Sequence, residues 1–311
     1  MVIVRRDSQA GAALLTAMVI VTLVATMASA MVWQQWRAVQ VEAGERARMQ
    51  AAWILTGAID WARLILREDA RSGGADSLDE PWATPLAETP LSTFLAADKD
   101  HTDDAPEAFL SGVITDAQAR YNLRNLYDEQ KGKVDDAEVA AFKRLCDAAG
   151  VSASVADQLA AALVAAHVGA DDAPLLPRAV RQLGWLGIDA ETLRQLAQHV
   201  VLLPVRTPVN LNTAAKEVIA AATGAELADA ERLVQVRQQS PFKTLDEAKK
   251  HLPPALVLNA RQVGVGSQFF EVRGQLRMGD RVLVERSLVQ RRNPDVVTIQ
   301  RERVSLNDVG S

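Results

Sequence analysis

An uninterrupted apolar run, Ala12 to Val32, constrains this chain more than any other feature of its sequence. The run contains 21 residues, none of them charged. As a helix it would be ~32 Å long, about the thickness of a bilayer core. Arg5 and Arg6 precede the run, and Trp33 and Trp36 follow it, as is typical of residues at a membrane interface. The positive charge before the helix predicts a cytoplasmic N-terminus, with everything from Trp33 onward across the membrane.

Four interpretations of this segment compete. A cleaved secretory signal needs a small-residue site such as Ala28-Ser29-Ala30, but it also needs a shorter apolar core. A twin-arginine signal is disfavoured because Asp7 follows the two arginines. A plain single-pass anchor explains the apolar run but not the small residues before it. The junction between Gly11 and Ala12 resembles a prepilin peptidase site, where cleavage after glycine leaves the helix on the mature protein.

Composition limits the remaining function classes. The net charge of −5 argues against a general nucleic-acid binder, and the single cysteine, Cys146, cannot form an internal disulfide. Cys146 lies in the apolar pattern of a helix, which favours a buried thiol. No G-x-S-x-G, H-E-x-x-H or P-loop pattern occurs, and the four histidines are scattered without metal-ligand spacing. The sequence therefore predicts a protein that is not an enzyme.

The N-terminal helix is predicted to continue well beyond the apolar run, to about Arg67. The following residues recur at intervals of four and three and would form an apolar stripe: Ala51, Leu55, Ala58, Ala62 and Ile65. Trp53, Ile54 and Trp61 are expected to widen the stripe. Gly73 and Gly74 mark the end of the helix.

An irregular stretch with four prolines follows, from Asp76 to Pro106. It contains an acidic cluster: Asp98, Asp100, Asp103 and Asp104. Carboxylates in a loop are the usual ligands of calcium, but the cluster lacks EF-hand spacing and a glycine, which favours a solvated loop. No other cofactor is expected.

In the rest of the chain, the spacing of apolar residues changes twice. A short strand is expected from Ser111 to a turn at Asp116, after which Asn122 and Asn125 are predicted to cap local backbone groups. Helical periodicity and glycine or proline stops then predict six helices: Asp136–Ala149, Ser154–Val168, Ala190–Leu202, Ala214–Thr223, Ala228–Gln239 and Leu245–His251. From Phe269 the period becomes two, which predicts an antiparallel meander whose apolar face the Ala51-to-Ile65 stripe covers.

This layout resembles the minor pseudopilin K family of type II secretion systems. The matching segments, in the family's order, are the leader and apolar helix, AAWILTGAIDWARLIL, DSLDEPWATPL, VITDAQARYNLRNL, LRQLAQHVVLLPVRTPVNLNTAAKEVIAAATG and GVGSQFFEVRG. The resemblance implies an α+β fold in which a pilin-like antiparallel sheet packs on the second half of a long transmembrane helix. It also implies a large all-helical insertion and a place at the pseudopilus tip.

The predicted organisation follows from the periodicity and the resemblance together. It consists of a prepilin leader (1–11), the N-terminal helix (12–67, transmembrane over 12–32), a first pilin-like part (68–134), a helical insertion (135–262) and closing strands (263–311). The resemblance implies processing by prepilin peptidase, methylation, and a single-pass position in the bacterial inner membrane with a periplasmic C-terminal domain. Its implied partners are other minor pseudopilins and the inner-membrane assembly platform.

Thr16 departs from the pattern of most pilins and pseudopilins, which carry glutamate as the fifth mature residue. Counted from Ala12, the fifth residue is Thr16. A buried N-terminal ammonium in a fibre is costly unless a carboxylate from the next subunit offsets it. A subunit with nothing above it has no ammonium to neutralise, so Thr16 is compatible with a tip position. Thr16 is also expected to hydrogen-bond its own helix within the lipid.

Residues Pro208 to His251 also resemble a helix-hairpin-helix module, which leaves a membrane-anchored DNA-binding or uptake protein as the alternative function. Such modules bind phosphate through glycine-bounded hairpin N–H groups at a helix N-terminus. Here Gly224 is followed by Ala225 and Glu226, so the second glycine is absent and a carboxylate stands where the phosphate would bind. The segment from 205 to 252 has a net charge of only +1. A structural role is favoured, with Asn210, Asn212 and Thr213 as turn and N-cap residues.

Overall fold

The computed structural model describes residues 10–95, 108–169, 172–279, 281–292 and 295–304. The chain divides into two compact units, Met1–Ile54 and Leu55–Ser311. The helices are α1 (Ala10–Ser72), α2 (Leu91–Leu95), α3 (Asp136–Ala148), α4 (Ser154–Val168), α5 (Ala190–Ala197), α6 (Lys216–Thr223), α7 (Leu227–Gln239) and α8 (Leu245–Lys249). The main strands are β1 (Leu86–Pro90), β2 (Ala108–Asp116), β9 (Phe269–Met278), β10 (Arg281–Arg292) and β11 (Asp295–Val304). Six two-residue strands lie between them: β3 (Tyr121–Asn122), β4 (Tyr127–Asp128), β5 (Lys133–Val134), β6 (Val200–Val201), β7 (Val209–Asn210) and β8 (Val263–Gly264).

Helix α1 is longer than predicted, beginning at Ala10 and ending at Ser72. Gly73 (φ +65°) and Gly74 (φ +128°) end it, because both adopt backbone conformations that glycine tolerates best. Within the described part of the chain, α1 is the one helix long and apolar enough to span a membrane.

The predicted meander is confirmed as three strands of a five-stranded antiparallel sheet with the order β1-β2-β9-β10-β11. The predicted strand from Ser111 to Asp116 is also confirmed, as the last six of the nine residues of β2. Strand β1 lies in the stretch interpreted as irregular, so that interpretation was incomplete. An edge strand tolerates Pro90 because only one of its sides must supply ladder hydrogen bonds.

An apolar stripe on α1 covers the sheet, as predicted, but its members differ. The buried positions within the second unit are Leu55, Ile59, Ala62 and Leu66. Ile59 and Leu66 therefore replace Ala58 and Ile65, which are only partly buried. The last three of the buried positions pack with Trp82, Ile114, Phe270, Val272, Val289 and Val296.

The two tryptophans expected to widen the stripe do not do so. Trp53 is 76% exposed and Trp61 47% exposed. Each precedes a buried stripe position on α1 by one or two residues, which rotates its side chain about 100° or more away from the buried face. Gly274 of β9 permits the close approach of α1, since a Cβ at this position would lie 3.2 Å from Leu55 Cδ2.

The region between β2 and β9 has its own larger core, which includes Tyr121, Phe142, Leu145, Leu159 and Leu233. All six predicted helices are present, with bounds that differ by up to five residues, but the region is not all-helical. Strands β3 and β6 pair in parallel, as do β7 and β8, and β4 and β5 pair antiparallel. The predicted helix Ala190–Leu202 ends at Ala197, because the next apolar residues leave the helix as β6 to pair with β3.

Cys146 is fully buried in this core, as its position in the sequence predicted. Burial raises the pKa of its thiol to about 12, so the side chain behaves as a small apolar group.

Candidate functional site

The apolar part of α1 carries several hydroxyl groups, and the helix itself satisfies them. Thr16 Oγ1 donates to the carbonyl of Ala12 at 2.8 Å, which confirms the expected bond within the helix. Thr22, Thr26 and Ser29 donate to carbonyls three or four residues earlier at 2.7–2.9 Å. No hydroxyl of this run therefore needs a partner outside the helix, which suits it to a lipid environment.

Only some of the site residues predicted from the sequence lie within the described part of the chain. Gly11, Ala12 and Thr16 lie in the first two turns of α1. The calcium candidates Asp98, Asp100, Asp103 and Asp104 lie outside the described residues.

A buried carboxylate, Asp116 at the end of β2, accepts four hydrogen bonds from three parts of the chain. Its Oδ1 accepts from the backbone N–H of Gln118 at 2.7 Å. Its Oδ2 accepts from Thr213 Oγ1 at 2.6 Å, Ser267 Oγ at 2.6 Å and Asn210 Nδ2 at 3.0 Å. All of these side chains are buried. Burial raises the pKa of Asp116, and the hydrogen bonds from Ser267, Thr213, Gln118 and Asn210 oppose that rise.

Asp76, in the segment after α1, completes this arrangement. Its Oδ2 accepts from the backbone N–H of Ser267 at 2.6 Å, and its carbonyl accepts from Asn210 Nδ2 at 3.1 Å. We call Asp76, Asp116, Asn210, Thr213 and Ser267 the junction cluster. It joins the segment after α1, the end of β2, the region around β7 and the approach to β9. Because every carboxylate oxygen in it already accepts hydrogen bonds, the cluster is suited to fixing the helical region on the sheet and not to proton transfer.

Two asparagines extend the junction along the helical region. Asn122 accepts from the N–H groups of Arg124 and Leu203 at 3.1 Å and donates to the carbonyl of Val205 at 2.8 Å. Asn125 donates to the carbonyl and accepts from the N–H of Thr207 at 2.9 and 3.1 Å. The prediction that these asparagines cap local groups was therefore too narrow, because most of their bonds reach about 80 residues along the chain.

The predicted roles of Asn210, Asn212 and Thr213 are only half correct. Asn210 Oδ1 accepts from the N–H of Asn212 at 2.9 Å, which is the expected turn. None of the three caps α6, whose N-cap residue is Ala215 without a side-chain bond. Asn212 instead exchanges two bonds of 2.9 Å with the backbone of Phe242. All three side chains are buried inside the fold, and the sequence alone does not show this.

Among the described residues, one group has the spacing of a metal site: Asp69, Asp76 and Glu80, with carboxylate oxygens within 4.8 Å of one another. Burial raises the pKa of Asp69 and of Glu80. Arg291 of β10 already supplies a cation, with Nη2 2.5 Å from Asp69 and Nη1 2.7 Å from Asp76. Glu80 accepts from Trp82 Nε1 at 2.7 Å. The group therefore has the chemistry of an internal ion-pair network that ties α1 to the sheet.

The helix-hairpin-helix-like segment is present as α6, a turn at Gly224 (φ +73°), and α7. Glu226 is exposed at the N-terminus of α7, where a phosphate would bind in a DNA-binding hairpin. The nearby basic groups serve the fold. Arg144 donates to the carbonyl of Ala221 at 2.8 and 3.0 Å, and buried Arg237 donates to the carbonyl of Leu211 at 2.6 Å. These contacts support a structural role for the segment.

Comparison with known proteins places the chain among components of bacterial secretion machinery. Residues 119–205 and 209–266 match family models described as type II secretion system, protein K. Type II secretion system protein K of Pseudomonas aeruginosa is 30% identical over 92% of this chain and 90% of its own length. The protein of the same description from Pectobacterium carotovorum subsp. carotovorum is 27% identical over 96% of this chain and 97% of its own length. A chain in the crystal structure of the GspK–GspI–GspJ complex from enterotoxigenic Escherichia coli has a similar fold, with a TM-score of 0.63. The two sequences are 19% identical, and the match covers 84% of this chain and 98% of that chain.

Proposed function

Because the chain belongs to the type II secretion system protein K family, we propose that this minor pseudopilin caps the tip of the periplasmic pseudopilus. In that position it nucleates assembly with other minor pseudopilins, and the fibre drives protein export across the outer membrane. The role is structural and involves no catalysis by this chain.

The family and the long apolar helix α1 are consistent with anchoring in the inner membrane. The finer arrangement belongs to the proposal. Prepilin peptidase cleaves between Gly11 and Ala12, the N-terminus is cytoplasmic, and the C-terminal region is periplasmic. The basic residues before the apolar run support this orientation. The assembly platform in the inner membrane is the proposed site of incorporation.

The observation that carries the tip assignment is the absence of any carboxylate from the apolar run. Thr16 stands at the fifth position after the proposed cut, and its hydroxyl is already bonded to the carbonyl of Ala12. This helix therefore offers no negative charge to the ammonium group of a subunit above it. A subunit with another above it would leave that ammonium unpaired in an apolar fibre core, which is costly.

The bulk of the helical region supports the same position. Residues 135–259 add about 125 residues, a domain's worth, to a sheet of five strands. The junction cluster holds this region on the sheet, so it cannot fold away without breaking buried hydrogen bonds. A repeated shaft subunit would need room for this bulk at every step, whereas a cap has free space above it.

The proposed partners are other minor pseudopilins. The similar solved structure is of a complex of GspK with GspI and GspJ, which supports partners of that kind for this chain. We expect the soluble region, from about Arg37, to bind them through its pilin-like part and to leave the helical region outward.

Cross-linking in assembled fibres tests the tip assignment. A cysteine introduced at Trp53, which is 76% exposed, provides a reactive group, whereas the natural Cys146 is fully buried. We expect this chain to cross-link to other minor pseudopilins, and we expect one copy of this chain in each fibre. Repeated self-contacts between copies of this chain along the shaft would falsify the cap assignment. A cysteine at the corresponding position of the major shaft subunit is the matched control and should give such self-contacts.

A second test uses Thr16→Glu. Because the proposed tip position has no ammonium above it, secretion should be unchanged or slightly reduced. If the variant is instead incorporated repeatedly along the shaft, the missing carboxylate alone had excluded this chain from the shaft. The bulk of the helical region would then not contribute to the tip position.

A further inference from the structure

A continuous cleft runs between the helical region and the face of the sheet that points away from α1. One end is a cavity of about 460 Å³ and the other a cavity of about 490 Å³. The two share four lining residues, so they form one groove: Arg178, Leu202, Leu288 and Gln300. We refer to it as the insertion cleft.

The two ends of the insertion cleft differ in chemistry. The smaller end is mainly apolar and includes Leu163, Leu176 and Ile299, of which Leu176 is 39% and Ile299 38% exposed. The larger end is lined by five arginines and two glutamates: Arg120, Arg178, Arg181, Arg194, Arg286, Glu271 and Glu302. This local excess of positive charge opposes the net charge of −5 of the whole chain.

Among the described residues, ion pairs engage every guanidinium at the basic end except one. Arg120 pairs with Glu271 at 2.8 Å, and Arg181 pairs with Glu302 at 2.5 Å. Arg194 pairs with Glu191, outside the lining. Arg286 lies 3.6 and 3.8 Å from the two lining glutamates.

Within the described residues, the side chain of exposed Arg178 makes no ion pair or hydrogen bond, since only its backbone N–H is engaged, with Gln182. Arg178 lies where the apolar and basic ends meet.

We propose that the insertion cleft binds an extended, acidic peptide segment of a partner protein. The segment places a carboxylate against Arg178 and a bulky apolar side chain in the adjoining cavity beside Leu176. Charge complementarity identifies the partner class, because a planar guanidinium binds a carboxylate through two parallel hydrogen bonds. The apolar cavity adds burial that a purely acidic ligand cannot use.

Fluorescence anisotropy with the full chain in detergent tests the proposal. The probe is a labelled peptide of alternating leucine and glutamate, and the comparison peptides replace leucine by serine or glutamate by lysine. We expect the leucine–glutamate peptide to bind at least about fivefold more tightly than either comparison peptide, with an affinity that falls as salt rises. Absence of binding up to about 1 mM, or equal binding of all three peptides, would overturn the proposal.

Matched variants locate the binding. Arg178→Ala should weaken binding about fivefold or more, whereas Arg261→Ala, at another exposed arginine outside the cleft, should leave it unchanged. Leu176→Ser should weaken binding, whereas Leu175→Ser should not, because Leu175 is 73% exposed and does not line the cavity. Equal effects of cleft and control variants would refute the assignment to this cleft. Binding of single-stranded DNA in place of the peptide, lost in Arg178→Ala, would likewise overturn the choice of partner.

Discussion

Asp116→Ala should be among the most destabilising single substitutions in this protein. The carboxylate of Asp116 accepts four hydrogen bonds from donors that are themselves buried. Asn210 Nδ2 keeps two other acceptors, the carbonyl of Asp76 and the hydroxyl of Ser267. The N–H of Gln118 and the hydroxyls of Thr213 and Ser267 lose their shortest partner.

The expected cost follows from these losses. Each buried donor without a partner costs about 1–3 kcal/mol, while removal of a buried charge recovers part of that cost. We therefore expect the free energy of unfolding to fall by about 3–6 kcal/mol, a large fraction of the stability of a typical domain. Asp116→Asn should also destabilise, because an amide NH₂ would face donors.

Urea unfolding of a soluble form that begins at Arg37 measures the effect through tryptophan fluorescence, since Trp82 is 1% exposed in the core beside the sheet. Asp147→Ala is the matched control. Asp147 is exposed and lies near the C-terminal end of α3, so its loss should change stability by less than about 0.5 kcal/mol. An unfolding free energy of Asp116→Ala within about 1 kcal/mol of the parent would refute the role given to the junction cluster.

Three further predictions follow from particular residues. Gly11→Leu should block maturation, because the peptidase accepts only a small residue before the cut, and normal maturation on a gel would contradict the proposed site. Leu66→Asp should lower the unfolding free energy by roughly several kcal/mol, because Leu66 is fully buried against the sheet, whereas Leu64→Asp, at a 54% exposed position of the same helix, should not. Burial raises the pKa of Glu138 from 4.5 to about 7, so the folded state binds a proton more tightly than the unfolded state. The free energy of unfolding should therefore fall by up to about 3 kcal/mol as the pH rises from ~4.5 to ~7. Glu138→Gln should flatten this dependence in urea unfolding at several pH values.

The strongest predictions from the sequence rest on periodicity and on stop signals. The apolar run and the glycines at 73 and 74 set the extent of α1 to within five residues, because chain-local properties decide both ends. Alternation from Phe269 gave the meander, since a strand with one buried face must alternate. The position of Thr16 and the charge of the hairpin segment were also legible without a structure.

Tertiary structure decided the features that depend on partners distant in the sequence. The buried stripe on α1 uses Ile59 and Leu66 where the sequence offered Ala58 and Ile65 as equally apolar, because only the position of the sheet selects the face. The end of α5 at Ala197 depends on pairing between β6 and β3.

The junction cluster is the clearest case of this dependence. Its hydrogen bonds to Asp116 span about 90 to 150 residues of sequence, and no local pattern distinguishes Asp116 from an ordinary turn aspartate. A polar side chain becomes structural when burial removes water as an alternative partner, and burial is a property of the assembled fold and not of the sequence alone.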